Sequence, residues 1–260
     1  YPGADDQYLR DQCPGLYPDA LQDLRPHCLW SRAGRWESLW LDVEPYAPGD
    51  YDLDIALTVE ETGETAAQKR VRVHVLDARL PRQELIHTKW FHSDCLATYY
   101  HVDVFSEEYW RIVENYVSLA VKRGINMLLT PIHTPPLDTR EGSERPTVQL
   151  VDVYLEDGKY RFGFEKLRRW VDMCKGCGVE YYEMAHLFTQ WGARHAPKIV
   201  AHTSEGEQRI FGWETDATGP DYAAFLGEYL PALTEEARRL GIADRCSFHI
   251  SDEPGVANLA

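Results

Sequence analysis

The stretch Ser106–Thr130, SEEYWRIVENYVSLAVKRGINMLLT, decides the fold. Ser106 has the chemistry of a helix N-cap, and Glu107 and Glu108 follow in the first turn, where carboxylates meet the positive end of the helix dipole. Tyr109, Ile112, Val113, Tyr116, Val117 and Ala120 then recur at helical spacing, and Gly124 closes the helix. Directly after it, Ile125–Thr130 is a short apolar run stopped by Pro131, the pattern of a strand buried on both faces. A helix feeding a doubly buried strand is half of a βαβ unit.

The same unit recurs downstream. Leu167, Trp170, Val171 and Cys174 predict a helix ending around Gly176 to Gly178, followed by a strand over Val179–Ala185. Tyr222, Phe225, Leu226, Tyr229, Leu230, Leu233 and Leu240 predict a third helix ending at Gly241, with a kink or break at Pro231, and then a strand over Cys246–Ser251. With a first strand over Leu85–Phe91 the order becomes βαβαβαβ, which demands an α/β fold with a parallel sheet and right-handed crossovers. A doubly wound sheet and a (β/α)8 TIM barrel compete. The glycine-rich phosphate fingerprint of many doubly wound sheets is missing after the first strand, which favours the barrel. Four strands make half a barrel and the chain stops seven residues after Glu253, so residues 81–260 are expected to be the N-terminal half of a (β/α)8 barrel in a longer protein.

Upstream the period is two. Tyr51, Leu53, Ile55, Leu57 and Val59 alternate with polar or small residues, as do Val71, Val73 and Val75, with turns at Pro48-Gly49 and Glu61-Thr62-Gly63. Residues 1–80 are therefore expected to be a β-sandwich segment, preceded over 1–36 by an irregular lead-in rich in Pro, Gly and Asp. The chain opens at Tyr1 with no charged and apolar leader behind it, so missing upstream sequence is expected.

Composition excludes several partner classes. The 260 residues carry 42 acidic and 27 basic side chains, a formal net charge of −15, with no basic run longer than Lys69-Arg70 or Arg168-Arg169, so phosphate backbones and anionic membrane surfaces are poor partners. No apolar stretch approaches the roughly 18 residues of a membrane span. The six cysteines are scattered, and three of them lie inside apolar helix or strand patterns, which fits a reducing compartment and hence the cytoplasm better than secretion.

In a barrel the chemistry sits where strands end. The exits read His92-Ser93-Asp94-Cys95, His133-Thr134, Glu183 with His186, and His249-Ile250-Ser251-Asp252-Glu253-Pro254. Asp252-Glu253-Pro254 is the sharpest of these. Two adjacent carboxylates repel, so one of them is pushed toward the protonated form that general acid catalysis requires, and Pro254 holds Glu253 in extended geometry.

The run Phe248–Pro254 resembles the signature of glycoside hydrolase family 123 and the related domain of unknown function 4091. Pro14–Asp19, a Leu39-Trp40-Leu41 strand followed by Ala47–Tyr51, and Trp191-Gly192-Ala193 resemble the same group. The resemblance implies a β-sandwich before a (β/α)8 barrel. It also implies an N-acetyl-β-galactosaminidase-like activity by substrate-assisted, retaining catalysis. In that scheme Glu253 is the general acid/base, Asp252 orients the 2-acetamido group, and no cofactor or metal is needed. The partner implied is an amino-sugar glycan or glycoside. A half barrel also implies exposed strand edges, satisfied by the missing half or by self-association.

Further candidates have bland alternatives beside them. Trp191 and Trp213 could stack on a sugar face or merely pack loops, and His92, His133, His186 and His249 could donate to sugar hydroxyls or be structural. Glu183 is better placed than Glu180, being nearer its strand's exit. Cys174-Lys175-Gly176-Cys177 matches C-x-x-C, but near a helix end and without a second ligand pair it argues for neither zinc nor redox chemistry. Two other functions stay open: a metal-dependent barrel hydrolase using His92, Asp94, His133 and Glu183, and a carbohydrate-binding protein with a degenerate site.

Overall fold

A computed structural model of the chain describes residues 24, 28–29, 34, 37–136, 142–190 and 192–250. It divides into two compact units, Tyr1–Pro81 and Arg82–Ala260.

The described part of the first unit is an antiparallel hairpin of β1 (Gly49–Thr58) and β2 (Thr65–Val75). Alternation builds it as the sequence predicts: Tyr51, Leu53 and Ile55 are half-buried while Asp50, Asp52 and Asp54 are exposed. Each aspartate lies directly across from a base, Asp50 from His74, Asp52 from Arg72 and Asp54 from Arg70. Arg70 Nε and Nη2 donate to both Asp54 oxygens at 2.7 and 2.8 Å, and Arg72 grips Asp52 the same way at 2.9 and 3.2 Å. Opposite charges directly across a ladder favour this register, modestly because they are exposed. Among the described residues the unit has this one two-stranded sheet, not the two packed sheets of a sandwich, and Leu39–Leu41 runs exposed without a partner strand.

The second unit begins with β3 (Thr88–Lys89), α1 (Ser93–Tyr100), α2 (Glu107–Lys122) and β4 (Met127–Thr130). It continues through β5 (Asp152–Glu156), β6 (Lys159–Gly163), α3 (Glu165–Cys177) and β7 (Tyr181–Met184). Then come β8 (Ile199–Thr203), β9 (Gly206–Phe211), α4 (Pro220–Arg239), a 3₁₀ turn (Ala243–Arg245) and β10 (Cys246–Phe248). Strands β3, β4, β7 and β10 pair in parallel, side by side in chain order. A doubly wound sheet reverses its order at a switch point, and these four strands have no reversal. The observed class is mixed α/β; an eight-stranded closure is not part of the described architecture.

Local chemistry explains the elements. The Ser106 hydroxyl accepts from the Tyr109 N–H at 3.2 Å, capping α2 as its sequence predicts. The buried stripe of α2 is Tyr109, Trp110, Ile112, Val113 and Val117, with Tyr116 left exposed at its edge. Helix α3 ends on Gly178 at φ +97°, a left-handed position open to glycine, where a Cβ would also press on Val121 at 3.3 Å. Helix α4 is not broken by Pro231, which is exposed, and the residue whose carbonyl its ring would crowd, four positions earlier, is Gly227. The first strand is shorter than Leu85–Phe91 because only Thr88 and Lys89 meet partners on β4.

A second sheet, ordered β6-β5-β8-β9, was not anticipated. It grows from hairpins inserted after β4 and after β7, joined by parallel pairing of Val153 with Ala201 and Tyr154 with His202. Its sequence cue was Asp157-Gly158 between alternating apolar residues; both turn residues have positive φ, +50° and +72°, as a tight hairpin turn requires. The short helix α1 was likewise unforeseen.

The core lies between the parallel sheet and α2, α3 and α4. Trp170, fully buried, packs near Phe91 and Trp110, and the α4 rings Tyr222, Phe225 and Tyr229 stack in a row. The two tyrosine hydroxyls donate to the carbonyls of Leu187 and Ile132 at 2.6 and 3.1 Å, so α4 fixes the backbone just beyond β7 and β4. Replacing buried Leu129 by Ala is expected to cost about 2–5 kcal/mol of unfolding free energy and Ser106→Ala about 1 kcal/mol, read from denaturant midpoints. Wild-type stability in the Leu129 variant would mean that β4 is not in the core.

Candidate active site

Polar side chains converge at the C-terminal ends of the parallel strands. Glu183, in β7, is buried, and its carboxylate collects three donors: Thr88 Oγ1 at 2.5 Å, His249 Nδ1 at 2.7 Å and Trp90 Nε1 at 3.1 Å. Thr88 and Trp90 come from β3 and the residue just beyond it, two strand spacings from β7, about 9.5 Å on the usual 4.7–4.9 Å strand separation. His249 comes from the exit of β10, on the other side. One carboxylate therefore ties together the ends of three of the four strands. Burial alone would raise the Glu183 carboxyl, but the Thr88, His249 and Trp90 hydrogen bonds and the His249 charge together hold it below its ordinary value. It is an anion in a dry setting.

Around it lies a ring cluster. His186 and His249 rings lie 3.8 Å apart, and Trp90 meets them edge-on at 5.3 and 5.7 Å. His186 is completely buried with neither ring nitrogen hydrogen-bonded, and burial with the neighbouring His249 charge pushes it down to about 3, so it is neutral. His133, also buried, donates from Nε2 to the His186 carbonyl at 2.5 Å and is lowered by burial to about 4. Both histidines sit behind the surface. An open cleft of about 440 Å³ lies in front of them, lined by Thr88, Met127, Glu183, Ser247, Phe248, His249 and Ile250.

The other candidates separate. His92 occupies the N-cap position of α1, at φ −92° and ψ 88°. Trp213 donates to the Ser143 carbonyl at 3.0 Å and lines a different pocket, of about 20 Å³, with Thr134, Arg145 and Lys198. Asp252, Glu253 and Trp191 lie outside the described residues. The runner-up metal set does not assemble: Asp94 is bound by Arg145 at 2.8 and 3.2 Å, His133 by a carbonyl, Glu183 by its three donors. Among the described residues no group of three or more His, Cys, Asp or Glu is placed to hold a metal ion. The C-x-x-C pair closes the last turn of α3, with Cys174 buried and its thiol pushed up by burial. The sequence reading missed Thr88 and Trp90, although their period-two spacing puts both on one face of a strand.

An anionic carboxylate and a histidine lining a cleft where parallel strands end is the arrangement of an α/β enzyme that works at its strand exits. Residues 90–260 match the family described as glycoside hydrolase 123, catalytic domain, and the chain belongs to that family. It is a glycosidase, and its substrate is a carbohydrate. No curated protein matches the chain.

The two buried neutral histidines make the fold acid-labile. A histidine whose folded value lies below its ordinary 6.5 binds fewer protons folded than unfolded, so its contribution is complete above pH 6.5 and is lost as pH falls toward 4 for His133 and 3 for His186. Unfolding free energy is expected to decline from pH 6.5 to 4, and His186→Phe to flatten that decline. Parallel pH–stability curves for the two proteins would show that His186 is not held neutral.

Proposed function

We propose that the protein is a retaining glycosidase of 2-acetamido sugars, N-acetyl-β-galactosaminidase-like, working by substrate-assisted catalysis with Asp252 and Glu253. The observation that supports this most is the His249–Glu183 hydrogen bond. It anchors the exit of β10 to the cleft wall, and backbone bonds from Leu187 and Phe188 to the carbonyls of His249 and Ile250 continue that anchoring to the last described residue. Asp252 and Glu253 follow Ile250 by two and three residues. That nearness in the chain supports reading the pair as part of this site.

Adjacency suits that mechanism. A retaining glycosidase with its own nucleophile spaces two carboxylates about 5–5.5 Å apart across the sugar, whereas here the substrate's acetamido oxygen attacks C1 and no protein nucleophile is needed. Glu253 gives its proton to the leaving oxygen as the C1–O bond breaks, and Asp252 accepts from the amide N–H and stabilises the oxazolinium charge. Glu253 then takes a proton from water as it attacks C1 and reopens the ring, restoring the acetamido group with retention. His249, held by Glu183, would form part of the sugar-binding wall. The frame proposed is a (β/α)8 barrel of which residues 81–260 supply the N-terminal half, its first four strands, with 1–80 belonging to a β-sandwich.

The experiment is hydrolysis of an aryl 2-acetamido-2-deoxy-β-galactoside. Turnover is expected to withstand chelator, to fall by about two orders of magnitude or more in Glu253→Gln, and to fall strongly in Asp252→Asn. Chelator-abolished activity restored by zinc would overturn the proposal in favour of a metal hydrolase. Binding without turnover would favour a degenerate site.

A further inference from the structure

The Glu183–His249 contact has a chemical direction. A carboxylate can only accept, so the hydrogen between Glu183 Oε1 and His249 Nδ1, 2.7 Å apart, belongs to the imidazole. With Nδ1 protonated, a neutral His249 must carry its lone pair on Nε2. His249 lines the cleft and is part-exposed, and its only described side-chain hydrogen bond is the one to Glu183. The ring is also held in place: His186 lies against one face at 3.8 Å, Trp90 stands edge-on, and the backbone N–H of His249 points to the Met184 carbonyl at 3.4 Å. Glu183 is in turn over-determined by Thr88 and Trp90, which leaves His249 little freedom to turn its ring over.

We propose that Glu183 and His249 form a carboxylate–imidazole dyad in which Glu183 is a positioning residue and His249 Nε2 is the atom that meets the substrate, accepting a hydrogen bond from a hydroxyl of the sugar. The proposal rests on the glycosidase reading above for its substrate. It assigns different tasks to residues of one cluster. Glu183, buried and fully engaged, does not touch sugar; it sets the tautomer and the angle of the ring that does. His186 is the neutral plate behind that ring, and its unbonded nitrogens are the cost of keeping charge away from it. Trp90 stands edge-on to both rings and bonds Glu183. This is the same logic by which a carboxylate orients an imidazole elsewhere in enzymes, placed here on binding rather than on proton abstraction.

Two substitutions separate the dyad from a merely structural histidine. The amide nitrogen of Asn superimposes on Nδ1 of His and donates as it does, and the amide oxygen of Gln, turned to the Nε2 position, accepts as the Nε2 lone pair does. His249→Asn thus keeps the bond to Glu183 and loses the proposed acceptor, while His249→Gln keeps an acceptor in its place. On the aryl acetamido-galactoside, kcat/KM is expected to fall about ten- to a hundredfold in His249→Asn and to recover at least about fivefold of that in His249→Gln, with the change carried mainly by KM. An Asn variant as active as wild type, or more active than Gln, would overturn the proposal, because it would make the Glu183 anchor the whole role of His249. The tautomer is readable without any substrate. Imidazole ¹⁵N spectra of the full chain above pH 8 are expected to show His249 protonated at Nδ1 and to lose that single form in Glu183→Gln; protonation at Nε2 in the wild type would also overturn it. If the wild-type chain hydrolyses no acetamido sugar, the substrate reading of the preceding subsection fails, and the ¹⁵N result still decides the dyad.

Discussion

A carboxylate taken out of water needs protein donors in place of its hydration shell, and meeting that need at Glu183 organises the working end of this molecule. The three donors come from the beginning, and the end, of the parallel sheet's chain order, Thr88 and Trp90 on one side and His249 on the other. Remove the anion and Thr88, Trp90 and His249 lose a common acceptor, so the strand exits lose their shared tether. The same demand explains the neutrality of the surrounding histidines. A cation beside His249 would compete with it for Glu183, and burial keeps His186 and His133 uncharged.

That cluster is held from behind by α4. Tyr222 and Tyr229 are buried among aromatic rings, yet each hydroxyl finds a loop carbonyl, Leu187 next to His186 and Ile132 next to His133. A buried tyrosine without a partner would be costly, so the apolar packing of the helix and the backbone path of both exits are coupled. Arg168 adds a second link, from α3 to the buried Glu236 of α4 at 2.7 Å. Packing and site geometry are thus one problem in this unit, solved by the same helix.

How far the sequence could be read follows from what kind of constraint each feature obeys. The helices α2, α3 and α4 and strands β4 and β7 are legible because their periods are long and their ends are marked by Ser106, Gly124, Gly178 and Gly241. Residues at strand exits could be picked out from topology, which brought Glu183 and His249 into view. Their partnership could not, since it depends on register between strands 66 positions apart in the chain. Thr88 and Trp90 lay inside the strand expected over Leu85–Phe91, whose exit was placed at His92, so they were passed over although β3 ends at Lys89. The hairpins of the second sheet were hidden for the opposite reason: their alternation is clear, but it sits inside what a βα alternation treats as loops. Family membership was carried by the tripeptide Asp252-Glu253-Pro254 and its flanks, a chemical signature that no periodicity contains.

Those hairpins matter to the site more than their place in loops suggests. Loops at strand exits carry function only if something rigid positions them. Here the two insertions brace each other through the β5–β8 pairing, and the buried Gln149 completes the join: its amide donates to the carbonyls of Val151 and Val200 at 2.8 and 2.9 Å and accepts from the Val200 N–H at 3.0 Å. One side chain satisfies both backbone groups of Val200, standing in for the neighbouring strand that the ladder lacks there. Nearby, Arg145 clamps the buried Asp94 of α1, and Lys198 bonds the Arg145 carbonyl, so the segment after β4 is tied both to the first helix and to the segment after β7. These links run between the segments after β4 and β7 and to α1, so the two insertions hold each other in place. The Glu183 cluster meanwhile keeps its three hydrogen bonds beside a cleft that stays open on one side, which is the balance a glycosidase needs between a desolvated anion and an accessible carbohydrate.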